Sequence, residues 1–140
     1  MIRLKNQESK TKNKNIKSKS EGGVAHVTDA TFDQAIKDNP VALIDFWADW
    51  CGPRRALAPT IVSLAEDYRG RVFVGKLDID KNPVASDRFK VSSIPTVLIF
   101  KNAKKVAKIV GYAPKKEIDS ALKKTLDKKE EETEKRREKA

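Results

Sequence analysis

Seven consecutive residues, Val41 to Trp47, are apolar at every position but one, Asp45. A run of that length without polar alternation suits a strand covered on both faces. Such a strand needs a layer above and a layer below, so the rest of the chain must supply them. Downstream, Leu57, Ala58, Ile61, Val62, Leu64, Ala65 and Tyr68 recur at helical spacing. The spacing predicts a helix that begins near Cys51 and kinks at Pro59.

The other elements follow in order. Val24–Val27 reads as a short strand. Thr31 with Gln34 three residues later has the form of a capping box for a helix that ends near Asp38, before Asn39-Pro40. Val72–Asp78 reads as a strand. Asn82-Pro83 reads as an N-cap and first helical residue, with the helix ending near Phe89. Thr96–Phe100 and Lys105–Val110 are strands around a turn at Asn102-Ala103. A last helix starts after Pro114 and buries Ile118, Ala121, Leu122, Thr125 and Leu126. The tightly joined last two strands must be antiparallel, and the earlier alternation argues for parallel strands. The expected fold is α/β, a mixed central sheet with helices on both faces.

Charge divides the 140-residue chain into three. Residues 1–23 carry seven basic and two acidic residues and few apolar ones, which predicts a disordered basic tail. Residues 24–126 form the folded domain. Residues 127–140 balance six basic against six acidic residues and are expected to be helical or frayed, with i,i+4 pairs at Glu131–Lys135 and Glu132–Arg136. No stretch approaches the ~20 apolar residues of a membrane span. The N-terminal residues lack the apolar core of a secretory signal. A cytoplasmic protein is the default expectation. No cofactor is implied.

The chain has one cysteine, Cys51, so no intrachain disulfide can form. Cys51 stands where a strand hands over to a helix. Backbone N–H groups and the helix dipole favour the thiolate there. By itself this is a weak signal, and a small buried residue explains it as well.

The surrounding residues add more. The run Asp45-Phe46-Trp47-Ala48-Asp49-Trp50-Cys51-Gly52-Pro53, then Ala58-Pro59, closely resembles the thioredoxin family. So do Lys76-Leu77-Asp78-Ile79-Asp80, Asn82-Pro83, Ile94-Pro95-Thr96 and Gly111. The resemblance covers about residues 24–126. It implies the thioredoxin fold and a thiol–disulfide oxidoreductase. Its partners would be proteins with disulfides or thiols, with a reductase or glutathione as reductant. Cys51 matches the family's attacking cysteine, Asp45 its buried aspartate and Lys76 that residue's charged neighbour. Pro95 matches its cis-proline, and Trp50, Ile94, Gly111 and Tyr112 would line a peptide groove with it.

One position departs from the family. Where its motif is Cys-Gly-Pro-Cys, residues 51–54 read Cys-Gly-Pro-Arg. The second cysteine resolves the mixed disulfide made by the first, and Arg54 cannot. Cys51 should still form mixed disulfides, released slowly unless an outside thiol attacks. Arg54 has two destinations, an ion pair with Asp45 or open water. Trp47 reads as core.

Three functions are consistent with this pattern. One is an oxidoreductase with an impaired dithiol cycle. Another is a peptide-binding or chaperone-like module without redox turnover. The third is an ordinary family member into which arginine was introduced. A monomer is expected, with a dimer available through a Cys51–Cys51 disulfide. His26 is the single histidine, and the motif holds no metal-ligand set. Lys101, Lys104, Lys105 and Lys108 read as a solvated hairpin patch without the interleaved aromatics of a nucleic-acid site.

Overall fold

The computed structural model describes residues 23–49 and 53–139, with the side chains of 53–55 and 128–139 left aside. The N-terminal tail therefore lies outside the described residues, except Gly23. The elements are β1 (Ala25–His26), α1 (Phe32–Asp38), β2 (Val41–Trp47), α2 (Pro53–Asp67), β3 (Phe73–Asp78), α3 (Pro83–Arg88), β4 (Thr96–Lys101), β5 (Lys104–Val110) and α4 (Lys115–Lys139). Helix α2 runs through Pro59.

The five strands lie in the order β1-β3-β2-β4-β5. β2 sits at the centre, parallel to β3 and antiparallel to β4, and β5 closes one edge antiparallel to β4. The apolar run of β2 thus supplies both faces, as its pattern requires. Val41 and Leu43 join Leu57, Ile61 and Leu64 of α2 and Ile118 and Leu122 of α4. Ala42, Ile44 and Phe46 join Phe32 and Ile36 of α1 and Ala85 of α3. Alternation assigns Asp45 to the α2 face. The turn between β4 and β5 places Asn102 and Ala103 at φ +52° and +68°, the backbone a two-residue hairpin needs.

Helix α4 docks on α2 through polar contacts as well as apolar ones. Lys115 Nζ lies 2.7 Å from Asp67 and donates to Ser63 Oγ at 2.6 Å. Tyr68, 2% exposed, donates its hydroxyl to Asp119. Burial, and then the Asp119 carboxylate, push the Tyr68 phenol up to about 12. A free phenol ionises near pH 10. The stability that comes from keeping Tyr68 neutral is therefore complete below pH 10 and lost as pH rises toward 12. Tyr68→Phe lacks this titration. Thermal unfolding at pH 9 and pH 11 should show the variant losing less stability between the two than the parent, by about 1 kcal/mol.

Two expected caps are replaced. Thr31 has helical φ and ψ (−106°, −4°) and makes no side-chain cap bond. Its hydroxyl instead accepts from Thr28 N at 3.0 Å, and Gln34 donates to Asp38 at 2.7 Å. The capping box does not form, because an N-cap needs extended backbone to reach forward. Nor does Asn82 cap α3. Its Oδ1 accepts from Asp29 N and its Nδ2 donates to Asp78 O. The cap comes from Asp29, whose carboxylate accepts from Val84 N at 3.0 Å and Ala85 N at 2.8 Å. Asp29→Ala should cost about 1 kcal/mol of stability, the usual loss for an N-cap. Amide exchange at Val84 and Ala85 should rise ahead of that in the sheet. Unchanged exchange there would contradict the assignment.

Candidate functional site

Three chain ends meet at one end of the sheet. β2 finishes at Trp47, and its antiparallel register with β4 pairs Phe46 with Thr96. Pro95 therefore stands beside the exit of β2, from which the chain leads to Cys51. β5 returns to the same place, Val110 opposite Thr96. Gly111 N then donates to Pro95 O at 2.7 Å. Gly111 has φ +86°, a conformation that a side chain disfavours. The Ile94-Pro95 bond is cis, as the resemblance implies. Thr96 Oγ1 donates to Ser93 O at 2.5 Å and closes the turn that carries it. That bond was not anticipated from sequence, although a threonine just after an X-Pro pair was its visible signal. Pro95 is buried, Ile94 half-buried and Tyr112 55% exposed.

Asp45 and Lys76 are direct neighbours in the parallel register of β2 and β3. Asp45 is only 5% exposed. Lys76 Nζ lies 5.4 Å from the centroid of the Trp47 ring, a cation–π contact. Trp47 is thus half-buried beside the charged pair rather than sealed in the core. These three side chains, with Val24 and Ala58, Ile61 and Val62, enclose a cavity of about 100 Å³. A space of that size with polar walls can hold water.

Ala58 stands one helical turn after Arg54 in α2. Residues at i and i+4 share a helix face, so position 54 lies on the side of α2 that turns toward Asp45. The side chains of Pro53 and Arg54 lie outside the described residues, as do Trp50, Cys51 and Gly52. The Arg54–Asp45 ion pair therefore falls outside them too. Among the described residues no cluster of three or more His, Cys, Asp or Glu could hold a metal ion, and no helix is long and apolar enough to cross a membrane.

The β1-β3-β2-β4-β5 order, with a cis-proline at the sheet end where β2 leaves for its helix, defines the thioredoxin fold class. Comparison with known proteins agrees. The thioredoxin family model matches residues 23–124. Thioredoxin from Staphylococcus aureus is 44% identical over 103 residues, covering 74% of this chain and 98% of its own length. Thioredoxin from Staphylococcus haemolyticus is 45% identical over the same shares. Among solved structures, a mutant thioredoxin from Halobacterium salinarum superposes with a TM-score of 0.69 at 30% identity, covering 76% of this chain and 94% of its own. The chain belongs to the thioredoxin family. Redox chemistry of the oxidoreductase type follows from that membership.

Proposed function

We propose that the protein is a monothiol member of its family, exchanging protein disulfides through Cys51 and depending on an outside thiol for release. The supporting observation is the convergence of β2, Pro95 and Gly111 at one sheet end, with buried Asp45 and half-buried Lys76 sharing a small cavity with Ala58 of α2. Thioredoxins act on protein thiols and disulfides with reductase partners, and this arrangement suits the same substrates. Trp50, Ile94, Pro95, Gly111 and Tyr112 would form the groove for an extended segment.

The steps follow from thiolate chemistry. The Cys51 thiolate attacks one sulfur of a partner disulfide. The partner's other sulfur leaves as a thiolate, and a Cys51–partner disulfide remains. In a Cys-Gly-Pro-Cys site the second cysteine would attack Cys51 and release the partner. Arg54 has no sulfur, so that attack must come from a free thiol such as glutathione. Asp45 and Lys76 would act as positioning residues, lining a polar cavity behind the face of α2 that carries position 54.

Mass spectrometry after mixing the protein with a disulfide-bearing substrate tests this reading. A covalent 1:1 adduct should accumulate, disappear on adding millimolar glutathione, and never form with Cys51→Ser. Tight but purely non-covalent association of the same substrate would instead identify a binding module.

A further inference from the structure

We propose that the lysine-bearing outer face of β5 selects disulfide partners whose flanking segment is acidic, with Lys108 and Lys105 as the specificity-determining residues. The proposal rests on the reading of Cys51 as the attacking thiol. Its first support is the distribution of charge. From Arg88 to Lys116 the chain has eight basic residues and no Asp or Glu. This stretch contains Ile94, Pro95, Gly111 and Tyr112, four of the five residues of the candidate groove. Lys101 is buried and Lys115 is paired with Asp67, but Lys90, Lys104, Lys105 and Lys108 are exposed.

The second support is placement. Lys105 pairs with Phe100, Lys108 with Leu98 and Val110 with Thr96. Leu98 and Phe100 belong to the α1 and α3 side of the sheet, so Lys105, Lys108 and Val110 share that side. Val110 is 56% exposed and leads directly to Gly111 and the exposed Tyr112. Lys108 lies about 7 Å along the strand from Val110, at two residues of strand rise. Its Nζ donates to the carbonyl of Lys90 at 3.3 Å, which ties β5 to the segment entering Pro95. Edge-strand lysines alone guard against aggregation. Here they form one surface with the groove, so a segment leaving the groove along β5 meets apolar contacts first and cations next. An acidic segment fits this order by charge complementarity.

The test uses two peptides with the same central cysteine, capped as a mixed disulfide with nitrothiobenzoate and flanked by either glutamates or lysines. The Cys51 thiolate attacks the peptide sulfur and a Cys51–peptide disulfide forms. The bond to nitrothiobenzoate breaks, releasing it as a coloured thiolate, while the thiol proton of Cys51 goes to solvent. The reaction is a single turnover and does not involve the resolving step. An exposed ion pair is worth roughly 2- to 5-fold. The glutamate peptide should therefore react about 10-fold faster at low salt, and within about 2-fold of the lysine peptide at 0.5 M salt. K105Q/K108Q should remove most of this preference. K37Q/K124Q, which takes the same charge from the surfaces of α1 and α4, should keep it. Equal rates for the two peptides, or a preference that survives K105Q/K108Q, would overturn the proposal and leave the role of Cys51 standing. Release from neither peptide would overturn both.

Discussion

Arg54→Cys is expected to release the reduced partner from the Cys51 mixed disulfide at least about 10²-fold faster than millimolar glutathione does in the parent. The physical reason is effective concentration. A resolving sulfur held in the first turns of α2 competes with glutathione present at millimolar levels. Well-oriented intramolecular groups reach effective molarities far above that, up to about 10⁵–10⁸ M in the best cases. The substitution adds nothing else the reaction needs, since β2, Pro95, Gly111 and the cavity at Asp45 are in place. The gain should appear in the release step, because groove contacts are untouched; the disulfide then left at residues 51 and 54 is returned to thiols by the outside reductant. Stopped-flow and steady-state assays on both proteins check this. A first-attack rate that is unchanged, with a much faster second step, is the expected signature. If Arg54→Cys releases the partner no faster than the parent, the missing cysteine is not what limits release.

The second large effect concerns stability. Phe32→Ala should cost about 3–5 kcal/mol, the usual range for deleting a buried phenylalanine. Phe32 is the hub of the core on the α1 side. Its ring centroid lies 5.4 Å from Phe89, 5.6 Å from Phe100 and 6.3 Å from Phe46. Arg88 covers the same ring at 5.6 Å and pairs with Asp33 at 2.8 Å. Removing the ring leaves a cavity among three aromatic neighbours that belong to three separate elements or their ends, so the gap cannot close by moving one of them. Domains of this size have only about 5–15 kcal/mol in total. The urea midpoint should fall by about 2 M or more. A loss below about 1 kcal/mol would mean that the aromatic cluster repacks.

The sequence was most informative where burial is symmetrical. β2 was legible to its ends because every residue but Asp45 is apolar and both neighbours of the strand are covered. α2, β3, β5 and the hairpin turn followed from periodicity and turn chemistry. Long-range polar contacts were not legible. Asp29 caps α3 across more than fifty residues, and Asn82, which has the right residue type in the right place, spends its side chain on Asp29 N and Asp78 O instead. Local pattern cannot reveal that a residue more than fifty positions away will supply the cap. Lys101 was grouped with the solvated hairpin lysines, yet it is 7% exposed. Its register with Val41 at the end of β4 puts it on the sheet face that α2 and α4 cover, a consequence of strand pairing rather than of composition. At the candidate site, family resemblance pointed to Asp45, Lys76 and Pro95, while the cation–π contact between Lys76 and Trp47 needed the parallel register of β2 and β3 to appear.

The most direct test of the account is the steady-state rate of protein-disulfide reduction as a function of glutathione concentration, for the parent and for Cys51→Ser, with uncatalysed exchange subtracted. The expected result is a catalysed rate that rises in proportion to glutathione in the parent and is absent in Cys51→Ser, since an outside thiol takes the step that residue 54 cannot. A catalysed rate that persists in Cys51→Ser, or no catalysed rate in the parent at any glutathione concentration, would contradict it.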